Sequence, residues 1–148
     1  MPTPIGQGPQ FTPPRVGRAA PAAIACTRGS AKAPARAHLE LFARRRAIVI
    51  PANIGVRHGC GYPLRTLTPT GVIEIGRRGL TVGDLFAVWR MPLSSRRMLT
   101  FRGEVNAYVE GTRRRGDVRT ISLANGRQIV LEVGGYVPPH RFYLFPPR

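Results

Sequence analysis

From residue 38 onward, apolar and polar positions alternate in short runs, and glycine, proline or arginine clusters separate the runs. His38-Leu39-Glu40-Leu41-Phe42 and Ala47-Ile48-Val49-Ile50 read as two strands of a hairpin around Arg44-Arg45-Arg46. The hairpin closes at Pro51, because proline cannot continue a ladder. Gly71-Val72-Ile73-Glu74-Ile75 predicts a further short strand. One helix is expected over residues 82–90. Thr81 is a good N-cap, Asp84 completes a capping-box arrangement, and Val82, Leu85, Phe86 and Trp89 fall on one face. Pro92 ends it, because the residue before proline avoids the α region. Strands are then expected at Met98–Phe101, Val105–Val109, Arg119–Leu123 and Gln128–Val133, the last leaving a hairpin turn at Asn125-Gly126. Residues from Gly134 are rich in aromatics and proline and are expected to pack along the domain surface.

This order predicts an α+β fold, a β-grasp-like sheet of four to six strands with one covering helix, because one amphipathic helix covers one sheet face. A small open barrel is the alternative. Length adds little: 148 residues suit one domain and a tail. Residues 1–37 carry seven prolines, five basic residues and no acid, so a disordered basic tail is expected there, with a single domain over 38–148. Arg15 to Arg18, an alanine-rich stretch and Cys26 imitate a lipoprotein signal, but the apolar stretch is short and begins far from Met1. No run is long and apolar enough for a transmembrane helix. Two cysteines make no disulfide framework, and Cys26 and Cys60 are expected to be free thiols.

Charge changes the picture more. There are 23 Lys+Arg against 7 Asp+Glu, a formal net charge of +16, and Lys32 is the sole lysine. Such a charge attracts nucleic acid, anionic lipid or an acidic protein partner. Arginine grips oxyanions through its planar fork, although a GC-rich coding sequence would also raise Arg, Ala, Gly and Pro together. Arg44, Arg45, Arg46, Arg77, Arg78, Arg96, Arg97, Arg113, Arg114 and Arg115 form clusters in predicted turns and are the candidate polyanion contacts. Convergence of the clusters favours a nucleic-acid surface; scatter favours compositional bias. No nucleophile–base constellation, phosphate loop or paired-carboxylate pattern is present, so neither an enzyme nor a cofactor is expected. Arg115-Gly116-Asp117 is a chance tripeptide in an arginine-rich turn. Gly134-Gly135 is followed by thirteen residues and so does not form a free diglycine end.

A set of ordered motifs adds a family expectation. Pro51-Ala52-Asn53-Ile54-Gly55, Cys60-Gly61-Tyr62-Pro63-Leu64, Gly71-Val72-Ile73-Glu74-Ile75, Leu80-Thr81-Val82-Gly83-Asp84-Leu85-Phe86 and Gln128-Ile129-Val130-Leu131-Glu132-Val133-Gly134 follow the first strand in that order. The set resembles a group of small, uncharacterised bacterial exported, lipoprotein-like domains, over most of residues 37–147. The resemblance implies His-Thr-His-Asp after Cys-x-Tyr-x-Leu and a later histidine strand, a pattern suited to a transition metal. Here Arg65 and Leu67 stand at the two histidine positions, Thr68 at the acid and Glu74 at the third histidine. His58, Cys60 and Glu74 are the residual metal candidates, and an Arg65–Glu74 ion pair is the expected substitute for the metal. The expectation is therefore a non-catalytic binding or accessory module with its metal site lost; the resemblance implies an exported or cell-envelope location, whereas the lack of a convincing signal peptide leaves the cytoplasm open. The alternative is a basic nucleic-acid- or ribosome-associated protein.

Overall fold

The structure is a computed structural model that describes residues 24–27 and 34–148. Its centre is a parallel pair of strands from opposite ends of the chain. β1 (Ala35–Ala43) runs alongside β12 (Gln128–Val133), in register from His38↔Gln128 to Ala43↔Val133. On its other edge β1 serves two antiparallel partners in turn. β6 (Val72–Ile75) pairs with its first half and β2 (Arg46–Ile48) with its last three residues. Beyond β12 lie β10 (Val105–Val109) and the edge strand β11 (Thr112–Arg114); beyond β6 lies β5 (Leu64–Arg65). Two small sheets, β3 (Val56–Arg57) with β4 (Cys60–Gly61), and β7 (Leu93–Ser94), β8 (Arg97–Met98) and β9 (Phe101–Arg102), complete the strands. Among the described residues the fold is α+β, mostly sheet with one α-helix.

Side-chain alternation gives the main sheet two different faces. Ala37, Leu39, Leu41 and Ala43 of β1 and Ile129, Leu131 and Val133 of β12 join one apolar core with the helix α1 (Val82–Trp89). The opposite face carries His38, Glu40 and Phe42 from β1 and Gln128, Val130 and Glu132 from β12. Phe42, Val130 and Tyr108 form a smaller apolar cluster there with Val137. Both central strands are covered on both sides, so polar residues on this second face must be satisfied inside the protein.

α1 begins as expected. Thr81 Oγ1 accepts from Asp84 N–H at 3.2 Å, and the Asp84 carboxylate accepts from Thr81 N–H at 2.9 Å. Its buried face is Val82, Leu85, Phe86 and Val88, whereas Trp89 is half-buried and tilted against Phe86. The helix ends before Pro92 acts. Arg90 turns left-handed (φ 62°, ψ 37°), and its N–H caps the carbonyls of Ala87 and Phe86. Gly83 permits a close approach, because a Cβ there would lie 2.9 Å from the Arg119 carbonyl oxygen.

Several expectations change. Residues 119–123 are not a strand: Val118–Thr120 is a single 3₁₀ turn capped by Asp117, and only Ser122 makes an isolated bridge, to Thr81. Asn125-Gly126 is a turn but not a hairpin turn. It docks on the start of β1, with Asn125 Oδ1 accepting from Arg36 N–H and Gly126 N–H donating to the Arg36 carbonyl. Residues 98–101 belong to the β7–β8–β9 meander rather than to one strand. Arg113 and Arg114 lie in β11, not in a turn. The tail boundary also moves. β1 starts at Ala35, and Ile24 is buried in the core. The rest of the disorder expectation falls on residues 1–23 and 28–33, outside the described residues.

Candidate functional site

Cys26 and Cys60 form a disulfide, with Cα atoms 5.5 Å apart, which overturns the expectation of two free thiols. Thr27 and Gly61 exchange both backbone hydrogen bonds beside it, so the segment bearing Cys26 is a short antiparallel partner of β4. Sequence spacing gave no sign of this, because the contact depends on Ile24 anchoring residues 24–27 in the core. The residual metal candidates are corrected with it. The Cys60 sulfur is bonded to Cys26 and offers no thiolate, and His58 is exposed in the β3–β4 turn. Glu74 sits on β6 with a carboxylate oxygen 3.4 Å from the Arg148 guanidinium. Arg65 stands directly opposite Glu74 in the β5–β6 register. Among the described residues, no three of His, Cys, Asp or Glu are grouped to hold a metal.

Three of the four arginine clusters converge on one rim of the main sheet. Arg44 and Arg45 form the β1–β2 turn, both with positive φ (50° and 66°), and Arg46 opens β2. Arg44 N–H donates to the Val133 carbonyl, Val133 pairs with Val105, and Val105 N–H donates to Ser95. Gly103 N–H donates to Arg96, and Arg97 faces Arg102 across β8 and β9. Three lateral steps of about 4.8 Å place the Arg44 and Arg96 backbones roughly 15 Å apart. Arg44, Arg45, Arg46, Arg96 and Arg102 are exposed, while Arg97 is half-buried with Nε donating to the Leu99 carbonyl. Glu104 is the acid on this rim, and it ion-pairs at 3.6 Å with Arg113 of β11. That edge strand carries exposed Arg113 and Arg114, and exposed Arg115 follows it. Arg77 and Arg78 do not join them. They follow β6, whose Ile75 pairs with Ala35 at the opposite end of β1, about 30 Å from the hairpin turn.

Sequence reasoning missed the polar cluster on the second sheet face. Glu40 accepts hydrogen bonds from Gln128 Nε2 (2.5 Å) and from His140 Nδ1 (2.7 Å). A carboxylate only accepts, so the Gln128 amide turns its Oε1 toward His38 Nδ1, 2.7 Å away. His38 Nε2 faces the Thr70 carbonyl at 2.8 Å. Burial lowers the His38 pKa from its ordinary value. The bonds to Gln128 and Thr70 and the Glu40 charge oppose that shift, and the neighbouring His140 adds to it. Tyr143 stacks on His38, Phe145 meets Tyr143 edge-on, and Arg36 lies over the Phe145 ring. Residues 136–148 thus form a strap across this face, held at Val137 by Glu132 and at Pro146 by Arg36. Gly71 permits the Thr70 contact: its φ is 82°, and a Cβ there would collide with the Leu39 carbonyl.

Next along the same face, Glu132 and Asn106 stand opposite each other in register. Each has a buried side-chain oxygen without a hydrogen-bond partner, Oε2 and Oδ1. Burial raises the Glu132 pKa, and the hydrogen bond from Val137 N–H partly offsets this. The available signal for the whole cluster was the set of polar positions His38-x-Glu40 and Gln128-x-x-x-Glu132 within two apolar strands. Comparison with family models, with curated proteins and with solved structures finds no match for this chain.

Proposed function

We propose that the chain is a non-catalytic binding module that engages polyanions through the arginine rim without reading sequence. The observation that carries this is the lateral convergence of Arg44–Arg46 with Arg96, Arg97 and Arg102 at one end of the sheet. A guanidinium cluster of that kind neutralises neighbouring phosphates or sulfates and releases their counterions. The one helix turns Val82, Leu85 and Phe86 into the core, so it offers no recognition surface for base edges.

The β-grasp-like reading belongs to this proposal. The β2-β1-β12-β10-β11 order, with a parallel central pair and the helix packed on one face, supports it. So does the degenerate exported-domain reading. Disulfides persist in oxidising compartments, and the Cys26–Cys60 bond supports a location outside the reducing cytosol. It weighs against the nucleic-acid- or ribosome-associated alternative, and it occupies the sulfur that a lipoprotein signal would leave for acylation.

The test is fluorescence anisotropy with heparin and with DNA 20-mers of two unrelated sequences. Affinity is expected to fall about a thousandfold between 50 and 200 mM salt if roughly six phosphates are engaged, equally for both DNA sequences. Strong preference for one oligonucleotide at high salt would refute the sequence-independent reading.

A further inference from the structure

We infer that the polyanion met by this rim is the anionic headgroup surface of a lipid bilayer, an inference that rests on the polyanion reading above. Two independent observations point there. The first is the disulfide: a chain that keeps Cys26–Cys60 closed resides where nucleic acid is not the standing polyanion and phospholipid headgroups are.

The second is the shape of the rim. Arg44 and Arg45 sit in the β1–β2 turn and Arg96 in the β7–β8 turn, while Arg46 opens β2 and Arg102 ends β9. Their side chains are exposed, and the backbones carrying Arg44 and Arg96 lie about 15 Å apart along one edge. Gly134 and Gly135 pack against Arg44 and Arg45, and the next residue, Tyr136, is 60% exposed. Tyr136 is braced edge-on against Tyr108. An aromatic ring with a polar tip beside guanidiniums matches the composition of the membrane–water interface. Glu104 and its partner Arg113 compensate each other, leaving the charge of Arg44, Arg45, Arg46, Arg96 and Arg102 unopposed by that acid.

Arg77 and Arg78 make the proposal directional. They carry the same charge as the hairpin turn but lie about 30 Å away, several times the roughly 8 Å screening length at physiological salt. Removing two charges at either end changes the net charge equally, but only the rim pair is near an apposed bilayer.

The experiment is sedimentation of the oxidised full-length protein with vesicles at 150 mM salt. One set is 70:30 phosphatidylcholine:phosphatidylglycerol and the other is pure phosphatidylcholine. Arg44→Asn with Arg45→Gly removes two rim charges while installing the pair that best suits a positive-φ hairpin turn, so the fold is kept. This variant is expected to lose about 20- to 30-fold in partitioning to the anionic vesicles. Arg77→Gln with Arg78→Gln is expected to stay within about twofold of the parent. Equal loss in both variants, or equal binding to the two vesicle types, overturns the inference. If heparin and DNA still bind while anionic vesicles do not, the lipid inference falls and the polyanion reading stands. If none of them binds, both fall.

Discussion

The Tyr143 ring lies flat against the His38 imidazole, with centroids 3.5 Å apart and planes 7° from parallel. His38 is on the first strand of the sheet and Tyr143 is five residues from the last residue of the chain. The contact therefore fastens residues 136–148 over the His38–Glu40–Gln128 polar stretch of the central strands. Tyr143→Ala is expected to cost about 2 kcal/mol, a fall of roughly 7 °C in Tm, whereas Tyr143→Phe keeps the stack and stays near the parent. Loosening the strap also frees the backbone around Arg141, whose side chain is already exposed, for cleavage by trypsin. Unchanged cleavage at Arg141 in the alanine variant would show that the stack does not hold the strap.

His38 makes stability pH-dependent. Its folded pKa lies below the unfolded value near 6.5, chiefly through burial, so the unfolded chain binds more protons. The contribution is complete above pH 6.5 and is lost as pH falls below it toward the folded value. The slope from this one group cannot exceed about 1.4 kcal/mol per pH unit. Urea midpoints between pH 7.5 and 5.5 should fall more for the parent than for His38→Gln. Superimposable profiles would remove His38 as the cause.

Glu132 works in the opposite sense. Burial raises its pKa above 4.5, so its contribution is complete below that pH and is lost as pH rises through the folded value. Glu132→Gln keeps the acceptor for Val137 N–H and supplies a donor opposite the unpartnered Asn106 oxygen. It is expected to stabilise the fold at pH 7 by about 1 kcal/mol, with the gain shrinking toward pH 4.5. Destabilisation at pH 7 would mean that the carboxylate is held by groups other than these.

The disulfide is expected to contribute about 3–4 kcal/mol for a sequence separation of 34. Native protein should take up no thiol-alkylating label until reduced, and then two. The Cys26→Ser, Cys60→Ser double variant should melt with the reduced parent. Label uptake by unreduced protein would contradict the bond.

Much of the sheet was legible because its strands announce themselves locally. Leu39 and Leu41 alternate with His38 and Glu40, Ile129-Val130-Leu131 is a continuous β-branched and apolar run, and Thr81 with Asp84 marks the helix start. What stayed hidden depends on partners far along the chain. Arg119–Leu123 has strand composition, but Asp117 captures the Arg119 backbone and side chain and turns the segment into a 3₁₀ cap under α1. Trp89 has the right spacing for burial, yet Val88 takes the core position as the helix axis settles over the sheet. His140 carries no local cue that it will meet Glu40, one hundred residues earlier. The arginine rim was legible only as separate clusters, since the β12–β10 pairing that gathers them is tertiary.

The parallel pairing of β1 with β12 also fixes an order of events. His38 and Gln128 are 90 residues apart, and neither strand has its other face covered without elements from the intervening chain. A strand pair of such long range forms only after a large loop-closure cost, which slows folding. β1 therefore waits with its central edge unpaired until β12 docks beside it. The strap can settle only after that, so the His38–Tyr143 contact is among the last to form.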